Sequence, residues 1–252
     1  MTKLTVIIPT LNEESNIQRA LDSVFFADEI IVIDSYSSDK TVEIVKRNKV
    51  KLLQRHFDDF SSQKNYAIQK ATNEWVLVLD ADEEISKELQ KSIKQKLSQK
   101  TKHDAFYIYR KNYINNKKLN FGGYTNKIIR LFKKEKSYYE GIVHEKVVTN
   151  GDLGVLKGVI NHYTFNSFHQ FKKKIEHYAK LRAIELDQKG KKINAFHLYI
   201  KPVARFFIHY ILKLGFLDGK SGFIFSYFMG YGVYRRFQEL TLLRNEGSEG
   251  RL

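Results

Sequence analysis

Trp75-Val76-Leu77-Val78-Leu79-Asp80-Ala81-Asp82-Glu83 decides how this chain folds. Five apolar residues in a row describe a strand buried on both faces, and the strand runs straight into an acid. Upstream, Val6-Ile7-Ile8, Ile30-Ile31-Val32-Ile33 and Val50 to Leu53 repeat the pattern, and the second of them ends at Asp34. Helical spacing fills the gaps. Ile17, Leu21 and Val24 share a face in 14–25, Val42 and Val45 follow Ser38-Asp39-Lys40-Thr41, and another helix covers 61–71. Buried strands alternating with helices predict a parallel sheet covered on both sides. Right-handed crossovers then bring the strand C-termini, and with them Asp34 and Asp80, to one ligand-binding edge.

After a polar helix over about 87–99 the pattern changes. Residues 105–110, 128–133 and 143–148 read as strands of a mixed region, with Gly122-Gly123 and Gly141 in the loops. From Phe168 onward the spacing predicts helices over 168–189, 196–214 and 221–243, broken near Gly190 and at 215–219.

Composition narrows the function classes. The chain has 252 residues, 42% of them apolar, and no cysteine, which excludes disulfides and thiolate metal sites. Its opening, Met1 to Pro9, reads as a strand rather than a leader peptide, and a cytoplasmic location is expected. The net charge of +15 is unevenly spread: residues 165–252 hold sixteen Lys/Arg against seven Asp/Glu. Such an excess favours anionic surfaces. Lys201, Arg205, His209 and Lys213 recur every fourth residue, a basic stripe expected to lie against an anionic leaflet.

Two carboxylates separated by one small residue at a strand end can share a hard cation. Mg²⁺ or Mn²⁺ takes oxygen ligands and keeps places for water and substrate phosphate, so Asp80 and Asp82 are the candidate metal residues. Glu83, Glu84 and Glu88 read as acids at a helix N-terminus, and Asp39 as a helix cap. Arg130 fits either an anion-binding or a solvated arginine. His144 and His162 are candidates for the metal shell, against the commoner role of a hydrogen-bonded structural histidine. Asp218, between helix-breaking glycines, reads as a turn residue.

Four segments then resemble the family 2 glycosyltransferases of the GT-A fold, in family order over about residues 4–85. They are Val6-Ile7-Ile8-Pro9-Thr10-Leu11-Asn12-Glu13-Glu14, Ile31 to Thr41, Gln63-Lys64-Asn65-Tyr66-Ala67, and Trp75 to Glu83. Arg130-Leu131-Phe132, Val143-His144-Glu145 and Gly215-Phe216-Leu217-Asp218-Gly219 resemble the lipopolysaccharide-core glucosyltransferase subgroup. The resemblance implies an α/β GT-A domain, Rossmann-like with a mixed central sheet, over 1–165. Its donor half would cover about 1–100 and its acceptor half about 101–165, followed by a basic helical extension over 166–252.

It implies roles as well. Thr10 and Glu13 lie in the loop cradling the nucleotide base, Asp34 bonds the base or ribose, and Lys64 approaches the base or diphosphate. Lys64 fits a solvated helix lysine equally well. Asp80 binds ribose or metal-bound water, and Asp82 ligates the metal. Inverting transfer needs a carboxylate to take the acceptor's hydroxyl proton. The acidic pair that many relatives place at a helix start is missing here, which leaves Glu145, as in the resembled subgroup, with Glu140 behind it. The implied reaction moves a hexose, glucose from UDP-glucose foremost, to a lipid-linked or surface-glycan acceptor. The enzyme would be peripheral on the cytoplasmic face of the inner membrane, and nucleic acid would not be a partner. Two rival readings are a nucleotidyltransferase, whose glycine-rich phosphate loop is missing from Thr10 to Glu14, and a basic nucleic-acid module, which leaves the strand-end aspartates without purpose.

Overall fold

A computed structural model describes residues 2–99, 101–114, 117–122, 125–141, 145–165 and 168–249. The chain divides into two compact units, Met1–Lys111 with Asn126–His162, and Asn112–Thr125 with Tyr163–Leu252.

The first unit is built on a sheet. Its elements run β1 (Leu4–Thr10), α1 (Ile17–Val24), β2 (Glu29–Asp34), α2 (Thr41–Arg47), β3 (Lys51–Gln54), α3 (Phe60–Gln69), β4 (Trp75–Val78), β5 (Glu83–Ile85) and α4 (Lys87–Ser98). There follow β6 (Ala105–Ile114), β8 (Thr125–Lys133), β9 (Ser137–Glu140), β10 (Lys146–Thr149) and β11 (Leu153–Phe165), while β7 (Lys117–Lys118) belongs to the second unit. The strand order is β3-β2-β1-β4-β8-β6-β11-β5, with β7 paired to β6 and β9–β10 a separate ribbon. β3, β2, β1 and β4 are parallel, and β8 runs antiparallel to β4.

The apolar runs explain this half. Val6, Ile8, Val32, Leu77 and Leu79 enter one core layer, while their neighbours Ile7, Ile31, Ile33, Val76 and Val78 enter the other. A strand with helices on both faces needs apolar residues at every position, not every second one. α1 supplies Ile17, Ala20, Leu21 and Val24 to the first layer, the helical period read from the sequence. Gly158, at φ +91°, lets β11 pass the start of α4: a Cβ there would sit 2.3 Å from the Leu89 nitrogen.

One local expectation is corrected. Glu83 does not open a helix; it lies in β5, opposite His162 of β11, and is fully buried. The helix begins later, at Lys87, where the Ser86 hydroxyl accepts from the Leu89 amide. Only Glu88 occupies its first turn.

The second unit is helical, with α5 (Phe168–Gln188), α6 (Lys201–Phe207) and α7 (Gly219–Glu249). π-helical turns at Phe196–Ile200 and Ile208–Leu212 flank α6, making one rod over 196–212. Leu119, Phe171, Phe225 and Phe228 form its core. The expected basic stripe is corrected as well. His209 is buried, and its Nδ1 lies 2.8 Å from the Gly122 carbonyl oxygen, so it faces inward. Asp218 does serve a turn: its carboxylate accepts from the Asn120 and Phe121 amides at 3.1 and 2.9 Å. Among the described residues no helix is long and apolar enough to cross a membrane.

Candidate active site

Register places the first site residues. Thr10 at the end of β1 pairs with Asp34 at the end of β2, and the Leu79 amide donates to the Ile7 carbonyl, so Asp80 leaves the sheet at that same edge. Asp34 is fully buried and accepts from the Ser37 amide at 3.0 Å and from Gln54 Nε2 at 3.2 Å. Asn12 and Tyr36, in the loops after β1 and β2, adopt φ of 54° and 62°. Left-handed backbone at non-glycine residues is stored strain of the kind that gathers at ligand sites. Thr10 Oγ1 is buried and makes no hydrogen bond among the described residues, an orphan hydroxyl that suits a polar ligand. Glu13 turns toward its own helix instead: its carboxylate accepts from Asn16 Nδ2 and its carbonyl from the Ile17 amide. Asp39 stands one residue before the N-cap position, Lys40, and accepts from the Thr41 amide at 2.9 Å.

α3 supplies the centre. Asp59 starts it by accepting from the Ser62 amide at 2.8 Å, and three successive residues then point three ways. Gln63 donates to Ser35 Oγ behind β2 at 2.9 Å. Asn65 donates to the Tyr139 carbonyl and accepts from the Tyr139 amide, both at 2.8 Å, which ties β9 to the helix. Between them Lys64, only 2% exposed, places Nζ 3.0 Å from Asp80 Oδ1 and 2.6 Å from Glu145 Oε1. The solvated-lysine alternative is therefore excluded. Burial works against the Lys64 charge, but Asp80 and Glu145 outweigh burial and the repulsion of Arg130, so its pKa stands above the ordinary value.

Asp80 is held from its other side. Arg130 Nη2 lies 2.6 Å from Asp80 Oδ2 and 3.2 Å from Glu83 Oε1, and Arg110 Nη1 is 3.4 Å from that same Glu83 oxygen. The second Glu83 oxygen accepts from the Asp80 amide at 3.0 Å. Burial pushes the Asp80 pKa up, but Arg130 and Lys64 together hold it well below the carboxylate range. Arg130 is itself buried, so it is not a solvated strand-end residue. Sequence reasoning had no means of finding Glu83 and Arg110 as members of this network. Their partners lie on distant strands, and no local pattern announces the pairing.

Asp82, 5% exposed, has Oδ2 at 3.3 Å from His162 Nε2. A carboxylate oxygen beside an imidazole nitrogen suits Mn²⁺ better than Mg²⁺, which takes oxygen ligands, the more so if phosphate and water complete the shell. Among the described residues no three His, Asp or Glu side chains gather into a metal cluster, and both Asp80 oxygens are already ion-paired. His144 lies outside the described residues. Glu140, on β9, is exposed and pairs in register with Lys146.

Comparison with known proteins gives the family. The glycosyl transferase family 2 model matches residues 5–149. A glycosyltransferase of Rickettsia typhi, RT0209, is 31% identical over 96% of this chain and 88% of its own length. The lipopolysaccharide core biosynthesis glycosyltransferase LpsC of Rhizobium meliloti is 23% identical over 92% of both. A crystal structure of S. aureus TarS in complex with UDP-GlcNAc is 18% identical, with 93% of this chain and 92% of that one covered at a TM-score of 0.48. The nucleotidyltransferase and nucleic-acid readings find no support in these matches. The chain is a glycosyltransferase: it belongs to glycosyl transferase family 2 and carries that family's GT-A fold.

Proposed function

We propose that the enzyme transfers a hexose, glucose from UDP-glucose foremost, with inversion to a lipid-linked or lipopolysaccharide-type glycan on the cytoplasmic face of the inner membrane. One observation carries this reading: Lys64 joins Asp80, on the donor edge, to Glu145 by contacts of 3.0 and 2.6 Å. The candidate base thus stands beside the donor carboxylates, although it comes 65 residues later in the chain. The likeness to LpsC over 92% of the chain supports the choice of acceptor.

In this reading Thr10 and Asp34 receive the nucleoside. Glu145 takes the proton of the acceptor hydroxyl as its oxygen attacks the anomeric carbon. A new glycosidic bond forms, the anomeric carbon–phosphate oxygen bond breaks, and the nucleoside diphosphate departs. Asp82 and His162 would hold a divalent cation, and that cation would neutralise charge on the departing diphosphate. Asp80, neutralised by Lys64 and Arg130, would bind the ribose or a metal-bound water. Fixed charges of this kind stabilise a transition state without reorganising during the reaction.

A donor panel tests the reading. Hydrolysis and transfer of UDP-, GDP- and dTDP-hexoses are measured with and without Mn²⁺, in the wild type, Asp82→Asn and Glu145→Gln. Asp82→Asn is expected to lose turnover and metal-dependent donor binding. Glu145→Gln is expected to keep donor binding and lose roughly 10²–10⁴-fold in transfer, the usual contribution of a general base. Wild-type transfer by Glu145→Gln would move the base elsewhere.

A further inference from the structure

The helical rod over 196–212 has more apolar surface than its fold uses. Pro202 and His209 are buried and mark the packed side, where the Pro202 carbonyl lies so close to α7 that a Cβ on Gly230 would stand 2.8 Å from it. On another face Phe196, Ile200, Val203, Phe207 and Ile211 recur every three or four residues, each between 45% and 55% exposed. The stripe continues over the turn into α7, where Leu212 is 75% exposed and Leu214, Phe216 and Leu217 keep 43–53%. Solvated apolar surface of this extent marks an interaction site.

The turn is built to hold its shape. Gly122 donates to the Lys213 carbonyl at 2.6 Å, the His209 ring meets the Gly122 carbonyl, and Asp218 holds the next two amides back along that loop. Gly215 packs so tightly that a Cβ would fall 2.6 Å from the His209 carbonyl. The apolar side chains are therefore presented on a fixed frame.

Charge selects the partner. Residues 189–220 contain seven basic side chains and a single acid, Asp218, which is already taken up by backbone amides. Lys191, Lys192, Arg205, Lys213 and Lys220 are exposed. An apolar stripe bordered by lysine and arginine matches the interface of an anionic bilayer, where apolar groups reach the acyl boundary and cations stay among the headgroups. At 1.5 Å per residue the rod is about 25 Å long, which suits lying in the membrane plane.

We propose that the face formed by Phe196, Ile200, Val203, Phe207, Ile211 and Leu212 inserts into the interface of an anionic phospholipid bilayer, without crossing it. The proposal rests on the reading of a lipid-linked acceptor, yet it makes apolar insertion, rather than a basic stripe, the principal attachment.

The test uses the full chain and vesicles of phosphatidylcholine alone or mixed equally with phosphatidylglycerol. Wild type is expected to sediment with the mixed vesicles and to keep a clear fraction bound at high salt. Phe207→Asp with Leu212→Asp is expected to weaken that binding roughly a hundredfold, because charge is strongly disfavoured below the headgroups. Lys201→Gln with Arg205→Gln and Lys213→Gln is expected to weaken it less and to remove most of the salt dependence. In Leu212→Trp, emission is expected to shift blue and to be quenched by brominated lipid; the native Trp75 is 2% exposed and reports separately. Circular dichroism and vesicle-free UDP-glucose hydrolysis should stay at wild-type level throughout. Unchanged vesicle binding by the double Asp variant overturns the proposal. So does a wild-type dimer that the same variant dissociates, since the face would then join two copies. Insertion with no hexosyl transfer to any glycan leaves this proposal standing and sinks the functional reading alone.

Discussion

Val6 to Ile8, Ile31 to Ile33 and Val76 to Leu79 are buried to the last side chain, while Phe196, Ile200, Val203, Phe207 and Ile211 keep about half their surface in water. The residues are equally apolar, so the difference lies in what surrounds them. A strand within the sheet has a core layer above and another below, and both faces are covered by the same chain. The rod packs on α7 with its Pro202 side, and its stripe stays about half exposed among the described residues. Among the described large apolar residues that are exposed, seven belong to the sheet unit and eighteen to the helical one. Hydrophobicity in a sequence thus announces burial, but not by what.

Four substitutions sharpen that contrast, and unfolding of the sheet unit can be followed through Trp75, which packs in its core. The largest effect is expected at Lys64, where Lys64→Met takes the ammonium from Glu145 and leaves Asp80 to Arg130 alone. Breaking a buried ion pair costs about 3–5 kcal/mol, read as a lower urea midpoint. The pH dependence carries the sign. Asp80 is depressed, so its contribution is complete above an unfolded value of about 4 and is lost as pH falls through the folded one. Lys64 is raised, so its contribution is complete below about 10.4 and is lost only as pH climbs through the folded value. Wild-type stability should be level between these limits and fall on the acid side. In Lys64→Met the acid limb should flatten, because one of the charges depressing Asp80 is gone; an unaltered limb would remove Asp80 from the linkage.

Next comes a matched pair. Leu77→Ala, in the fully buried layer, is expected to cost about 2–5 kcal/mol through the cavity it leaves. Leu212→Ala, at 75% exposure, should stay within about 0.5 kcal/mol. Comparable losses at both would mean that the stripe is covered in solution. The smallest effect is a gain. Leu214 holds φ of 58°, and Leu214→Gly should stabilise the helical unit by up to about 1 kcal/mol, measured by far-ultraviolet circular dichroism during urea unfolding.

The donor edge was legible because its signals are local. An unbroken apolar run means a strand with two covered faces, and an acid at its end means an exposed edge, so Asp34 and Asp80 could be placed without coordinates. Lys64 stands out within its motif, but its partners do not. Nothing near residue 64 names Asp80 or Glu145, and the lysine becomes a bridge only once Asn65 has drawn β9 onto α3. Glu83 was assigned to a helix start because acids favour that position; its pairing with β11 is decided by residues nearly eighty places on. His209 belongs to a repeat of four, which drifts by about 40° at each step round an α-helix; eight residues after Lys201 it has reached the side of Pro202, where it meets Gly122.

The shared ammonium of Lys64 has a consequence for anyone who dissects the site one residue at a time. A cation balanced between two carboxylates makes those carboxylates a single thermodynamic object: removing either one hands the cation wholly to the other. Losses measured at Asp80 and at Glu145 will therefore not sum, and their double variant, which leaves the buried ammonium without either carboxylate, will lose more than the product of the singles. Donor handling and proton removal, which a mechanism writes as separate tasks, are in this protein joined by one nitrogen atom.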